Sequence, residues 1–216
     1  MKTPLGVFLF MRTFFVVVVL FFLVPVQGQK VVKKAFIGPR TQSIQIDSQY
    51  CYLINLQTAK TKEVQVEASI EGEYAKDLLI SIEEKGTTVR ISAGFHPNFI
   101  NPNDKLSAHK VVSIALHITV PQYKQVSIFG TNSNVEVEGS YQNLDVRLSD
   151  GRCELNNVTE TVEVTTQKGD IWLNADSGTI LAESAYGHVE NDQIPNGENQ
   201  YTLKTVEGNI HLRKTK

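Results

Sequence analysis

In blocks of nine, residues 126–191 read VSIFGTNSN VEVEGSYQN LDVRLSDGR CELNNVTET VEVTTQKGD IWLNADSGT ILAESAYGH VEN. The first position of every block is apolar: Val126, Val135, Leu144, Cys153, Val162, Ile171, Ile180 and Val189. The third carries Ile128, Val137, Val146, Leu155, Val164, Leu173 and Ala182, and only Asn191 breaks the rule. After a three-residue insertion around Pro195-Asn196-Gly197, the pairs Tyr201/Leu203 and Ile210/Leu212 resume it. Alternate residues of a strand share a face. Ten short strands are therefore expected, each placing two side chains on one buried surface.

Gly151, Gly169, Gly187 and Gly208 hold the eighth position of alternate blocks, Gly178 being the one that falls in the other set, so the unit is 18 residues, or 21 across the insertion. A glycine at each corner suggests a position needing φ > 0. Self-similarity at a fixed period marks a solenoid, whose coils bury their faces by stacking. The predicted fold is all-β: a single-stranded β-helix over residues 121–216, with coils about 4.8 Å apart. An antiparallel meander would need Asn-Gly-type turns between strands, and these corners mostly lack them.

Upstream, residues 29–120 show longer, less regular strands of the same single domain. Ile44/Ile46, Ile54/Leu56, Val64/Val66/Ala68/Ile70 and Val112/Ile114/Leu116/Ile118/Val120 alternate with polar residues. A hairpin is expected around Lys85-Gly86, and a Pro/Asn-rich loop over residues 95–104. No sustained 3.6-residue period occurs after residue 30.

The first 28 residues belong to a different class. Arg12 precedes an uncharged, almost wholly apolar run from Thr13 to Val24, and Val26-Gln27-Gly28 closes it with a small residue. That pattern describes a secretory signal peptide, too short for a spanning helix of about 20 residues. Met11 opens a more compact leader than Met1 and is the expected start. Lys2 and Arg12 are its only charges, so residues 29–216 hold 19 basic and 23 acidic side chains. A mildly acidic chain without a basic patch is a poor nucleic-acid binder. No second long apolar run predicts a transmembrane helix, and the expected location is the periplasm or cell surface.

Named repeat chemistries fit poorly. Left-handed hexapeptide helices need an aliphatic residue every six positions, where Asp150 and Lys168 follow Leu144 and Val162. Calcium-binding nonapeptide rolls need Gly-Gly-x-Gly-x-Asp turns. The corners here, such as Ser149-Asp150-Gly151, carry one glycine each and no repeated aspartate. The strand ending in Val120-Pro121, the segment Val135-Glu136-Val137-Glu138-Gly139 and the Gly-x-Ile-x-Leu units at 169–173 and 208–212 point elsewhere. Together they resemble the adhesin-like β-solenoid family, the adhesin-like or head GIN-type domains of exported bacterial proteins. The resemblance spans about residues 35–214 and is strongest from residue 112. It implies a non-enzymatic binding or structural module of the cell envelope, with no cofactor and no catalytic residue to carry over.

Outward positions supply the candidate site. In alternate blocks the second position reads Glu136, Glu154, Trp172, Glu190 and His211. Such a face could meet an envelope protein or a glycan. The alternative is a polysaccharide-acting enzyme, with two neighbouring carboxylates as acid and base beside a sugar-stacking aromatic. The bland reading is a solvated β-face. Five histidines (His96, His109, His117, His188, His211) show no metal-ligand spacing, and no metal is expected. Cys153 holds a core slot, and export permits a disulfide to Cys51 if that residue reaches it. Asn157-Val158-Thr159 is a glycosylation sequon, which acts only in a eukaryotic secretory pathway. Arg213, Lys214 and Lys216 follow the final strand, where lysines would guard an exposed solenoid end against pairing.

Overall fold

A computed structural model describes residues 29–38, 40–72, 75–99 and 112–215. The leader, His109, Lys216 and part of the 95–104 loop lie outside the described residues. The N-terminal strands are β1 (Gln29–Phe36), β2 (Ser43–Asp47), β3 (Leu53–Ala59), β4 (Glu63–Gly72), β5 (Leu78–Lys85), β6 (Thr88–Phe95) and β7 (Val112–Pro121). Next come β8 (Gln125–Asn132) and two long strands, β9 (Asn134–Asp150) and β10 (Cys153–Thr166). The last five are β11 (Ile171–Ala175), β12 (Thr179–Ser184), β13 (Val189–Asn191), β14 (Gln200–Thr205) and β15 (Ile210–Lys214). The only helical turn described is a 3-10 segment at Ala75–Asp77.

These strands form one sheet whose two faces share β9 and β10. The first halves of β9 and β10 belong to the order β1-β4-β7-β3-β9-β10-β11-β15-β13. Their second halves belong to β5-β6-β2-β8-β9-β10-β14-β12. Both long strands are irregular where they pass between faces. Gly139 has φ 115°, and Asn157 and Glu160 have φ 50° and 77°, beside register shifts on β10. Pairing is antiparallel only at β1–β4, β4–β7 and β5–β6. From β8 onward every pair is parallel, unlike a meander.

Cys153 pairs with Val135 on one side and Ile171 on the other, each 18 residues away. Val126, Leu144 and Val162 line up at the same interval on the second face. Beyond that point the stacking departs from chain order. Ile171 pairs with Ile210 rather than Val189, and Val162 pairs with Tyr201 rather than Ile180. The final coil, β14–β15, is thus inserted between β10–β11 and β12–β13. The loop containing Pro195-Asn196-Gly197 carries the chain back over the end, which gives the 21-residue offset between β12 and β14. Tyr201, Leu203, Ile210 and Leu212 are consequently buried, while Val189 is 41% exposed. Lys214 therefore does not guard the end: β15 is interior, and Arg213 faces Glu190 of β13 and Asp192 just after it.

The corner glycines serve a different need from the one expected. Of the four, only Gly151 has positive φ, at 96°. A Cβ on Gly151 would strike the Ser133 carbonyl, one on Gly169 the Gly151 carbonyl, one on Gly208 the Gly169 carbonyl and one on Gly187 the Gly208 carbonyl. The column runs 133-151-169-208-187, the same interleaved order as the strands. Glycine is required because successive coils bring backbone against backbone. Hydroxyls complete the corner: Thr166 Oγ1 donates to the Gly169 carbonyl at 2.6 Å and contacts Thr205 Oγ1 at 2.8 Å. Ser133 Oγ donates to the Cys51 carbonyl at 2.6 Å.

The disulfide is not formed; Cys51 and Cys153 are both free and buried. Cys51 precedes β3 and Cys153 opens β10, with β9 between them. Two strand spacings, about 9.5 Å, exceed the reach of a disulfide, whose Cα atoms lie within about 7 Å. Burial pushes both thiols up to about 12, helped by Asp47 at Cys51 and Glu154 at Cys153. Burial, then Asp176, raises Tyr201 to about 12 as well.

The folded thiols stay neutral where the unfolded ones ionise, so their contribution is complete below about pH 9 and lost as pH rises toward about 12. The free energy of unfolding from urea titrations should hold steady from neutrality to pH 9 and then fall, by up to about 1.4 kcal/mol per pH unit for each thiol. A free energy unchanged through the thiol range would contradict the burial. At pH 8 both thiols should react with a thiol reagent only on unfolding.

Candidate binding face

On the face containing β11, one row of outward side chains crosses the sheet in register. It runs Glu67, His117, Asn55, Glu136, Glu154, Trp172, His211, Glu190. The five residues anticipated from the repeat all lie in it. Because the last coil is inserted, His211 stands between Trp172 and Glu190 rather than beyond them. Glu67, His117 and Asn55 extend the row from the irregular half. Strand alternation marks them as outward-facing, but nothing local reveals that β3 pairs with β9.

The row is locked by contacts along and across it. Trp172 stacks on His211 with ring centroids 3.8 Å apart and planes 18° from parallel. The Arg152 guanidinium sits 4.7 Å from the Trp172 ring centroid. Since β10 and β15 flank β11 on opposite sides, the indole lies between cation and imidazole. Arg152 also donates to Glu154 Oε2 at 2.6 Å. At the outer end His211 Nδ1 donates to Glu190 Oε2 at 2.8 Å, and Arg213 reaches the same oxygen at 3.3 Å. The hydrogen bond from His211 and its charge, with Arg213 and His188 adding to them, hold the exposed Glu190 carboxyl below its ordinary range. Two residues further along these strands, Asn174 Nδ2 donates to Asn156 Oδ1 at 2.6 Å.

Toward the irregular half the surface dips into a depression of about 200 Å³ lined by Asn55, Gln57, His117, Glu136, Glu138 and Asn156. Asn55 donates through Nδ2 to His117 Nδ1 at 3.1 Å, while its Oδ1 is buried without a partner. Among the described residues no group of three or more His, Cys, Asp or Glu side chains converges on a metal-sized site.

Chemically, this is a poor acid–base centre. Glu136 and Glu154 are cross-strand neighbours, the spacing a carboxylate pair would need. Glu154, however, is held by Arg152 and also accepts from Asn156 at 3.3 Å. Both faces of Trp172 are covered, so a sugar ring would have to displace His211 or Arg152 to stack there. The arrangement suits recognition by a flat, preordered polar surface.

Residues 112–216 match the Toastrack DUF4097 family. Among solved structures, a "putative cell adhesion protein" from Clostridium sporogenes aligns over 87% of this chain and 100% of its own, with a TM-score of 0.50 and 12% identity. A "putative adhesin" from Bacteroides fragilis covers 87% of this chain and 97% of its own, with a TM-score of 0.39 and 13% identity. At such identities the first likeness concerns the fold alone, and the second adds no argument to it. No curated protein matches the sequence.

Proposed function

We propose that this protein is an exported, non-enzymatic β-solenoid that binds a cell-envelope protein or glycan through the Glu136–Glu154–Trp172–His211–Glu190 face. The observation carrying this reading is the in-register row itself. Trp172, His211 and Glu190 are paired with one another and Glu154 with Arg152, so little of their side-chain entropy remains to be lost on binding. Eighteen-residue registers between β9, β10 and β11 support the solenoid description. The Toastrack match over residues 112–216 and the fold shared with a structure named for cell adhesion support an adhesin-like kinship. The leader-like sequence of residues 1–28 supports export. No transmembrane helix occurs among the described residues.

The test is binding of the purified chain to a glycan array and to immobilised envelope fractions, compared with Glu136→Lys and Trp172→Ala. Glu136 is exposed and carries no ion pair in the row, so reversing its charge should leave folding intact. At least a tenfold loss of affinity is expected for each variant. Unaltered binding by both variants would remove this face from consideration, and cleavage of a bound glycan would overturn the non-enzymatic reading.

A further inference from the structure

The two ends of the sheet differ in charge and finish. At one end lie β1 and β5; at the other lie β12 and β13. Residues 29–42 hold Lys30, Lys33, Lys34 and Arg40 with no acidic side chain. Residues 176–199, the outer coil and its return loop, hold Asp176, Glu183, Glu190, Asp192 and Glu198 with no lysine or arginine. Lys33, Arg40, Glu183 and Glu190 are exposed. β5 adds Glu83, Glu84 and Lys85 to the first end, and at the second Lys204 and Arg213 pair with Glu183, Glu190 and Asp192. The two ends thus keep net charges of opposite sign in a chain otherwise close to balanced.

Strand direction completes the match. β13 runs parallel to β15, β11, β10, β9, β3 and β7 in succession. β7 is antiparallel to β4, and β4 to β1, so β1 and β13 point the same way. A second copy moved along the stacking axis would therefore bring its β1 beside β13 in parallel, continuing the sheet. The acidic end is also unfinished as a core. Val189 occupies an inward repeat position yet is 41% exposed, and Ile180 and Ala182 are only half-buried. Lys214, expected to blunt this end, is on β15, one strand inside it.

We propose that copies of this chain associate head to tail, the acidic β12–β13 end of one seated on the basic β1 end of the next. A two-fold contact would instead set like charge against like at either end. Head-to-tail contacts are heterologous and leave a free end at each step, so association is open-ended. Charge attraction across the joint makes it salt-sensitive, since about 0.1 M salt shortens the screening length to about 10 Å.

Sedimentation velocity tests this with the chain expressed with its leader and purified as the host processes it. The weight-average mass should climb with concentration past the dimer, and association should weaken at least tenfold in high salt. Two variants block opposite ends: Lys33→Glu reverses charge on β1, and Val189→Lys places a cation on the acidic edge. Each alone should stay monomeric with unchanged circular dichroism. Mixed in equal amounts they should form a dimer and stop there, because each retains the end the other has lost. Self-association of either variant alone would indicate a two-fold interface and overturn the proposal. So would a parent chain that remains monomeric at every concentration in low salt.

Discussion

Gly169→Ala is expected to lower the free energy of unfolding by about 3 kcal/mol, the upper range for overpacking a closed site. The new Cβ would meet the Gly151 carbonyl oxygen, a backbone atom held between two coils that has no rotamer to change. Relief requires the coils to separate, which strains the Cys153–Ile171 pairing beside it. On the other side, the Gly169 carbonyl already accepts from Thr166 and lies against Gly208, so it cannot shift outward either. Gly94→Ala is the control, because a Cβ there meets nothing within 4 Å. It should change stability by no more than about 0.5 kcal/mol. Urea unfolding followed by Trp172 fluorescence measures both, and equal effects would discard the backbone-column explanation.

Removing residues 200–216 should damage more than the end of the molecule. β12 pairs only with β14 in its face, and β13 only with β15. Without the inserted coil, the outer strands have no neighbour in register, and their 176–199 segment should lose hydrogen-exchange protection by at least about 100-fold. The deletion also discards four buried side chains, Tyr201, Leu203, Ile210 and Leu212, whose burial stabilises by about 2 kcal/mol each. Stacking in chain order gives the opposite outcome, with loss of a terminal coil and 176–199 still protected. Exchange mass spectrometry on the truncated chain separates the two cases. Protection retained across 176–191 would contradict the insertion.

Much of this architecture was legible as local pattern. Alternation at Val135/Val137, Cys153/Leu155 and Ile171/Leu173 marked inward side chains that are all buried. The outward set Glu136, Glu154, Trp172, Glu190 and His211 does share one row. The glycine spacing located the corners but not their purpose, because spacing carries no information about which backbone lies opposite. His117, Asn55 and Glu67 joined the row unseen, since the β3–β9 and β4–β7 pairings follow no period. Arg152 and Arg213, which hold Glu154 and Glu190, sit outside the second-position pattern that drew attention to those glutamates.

The sequence by itself determined strand positions, inward and outward faces, and the 18-residue register of β9, β10 and β11, because pleat alternation and stacking of like on like are written residue by residue. It did not determine the order of the last coils. A periodic chain offers equivalent apolar partners at every coil, so Ile171 finds a matching neighbour in either Val189 or Ile210. Only the folded molecule settles which coil is enclosed. There the return loop across Pro195–Gly197 brings Tyr201 and Leu203 under cover and leaves Val189 at the edge.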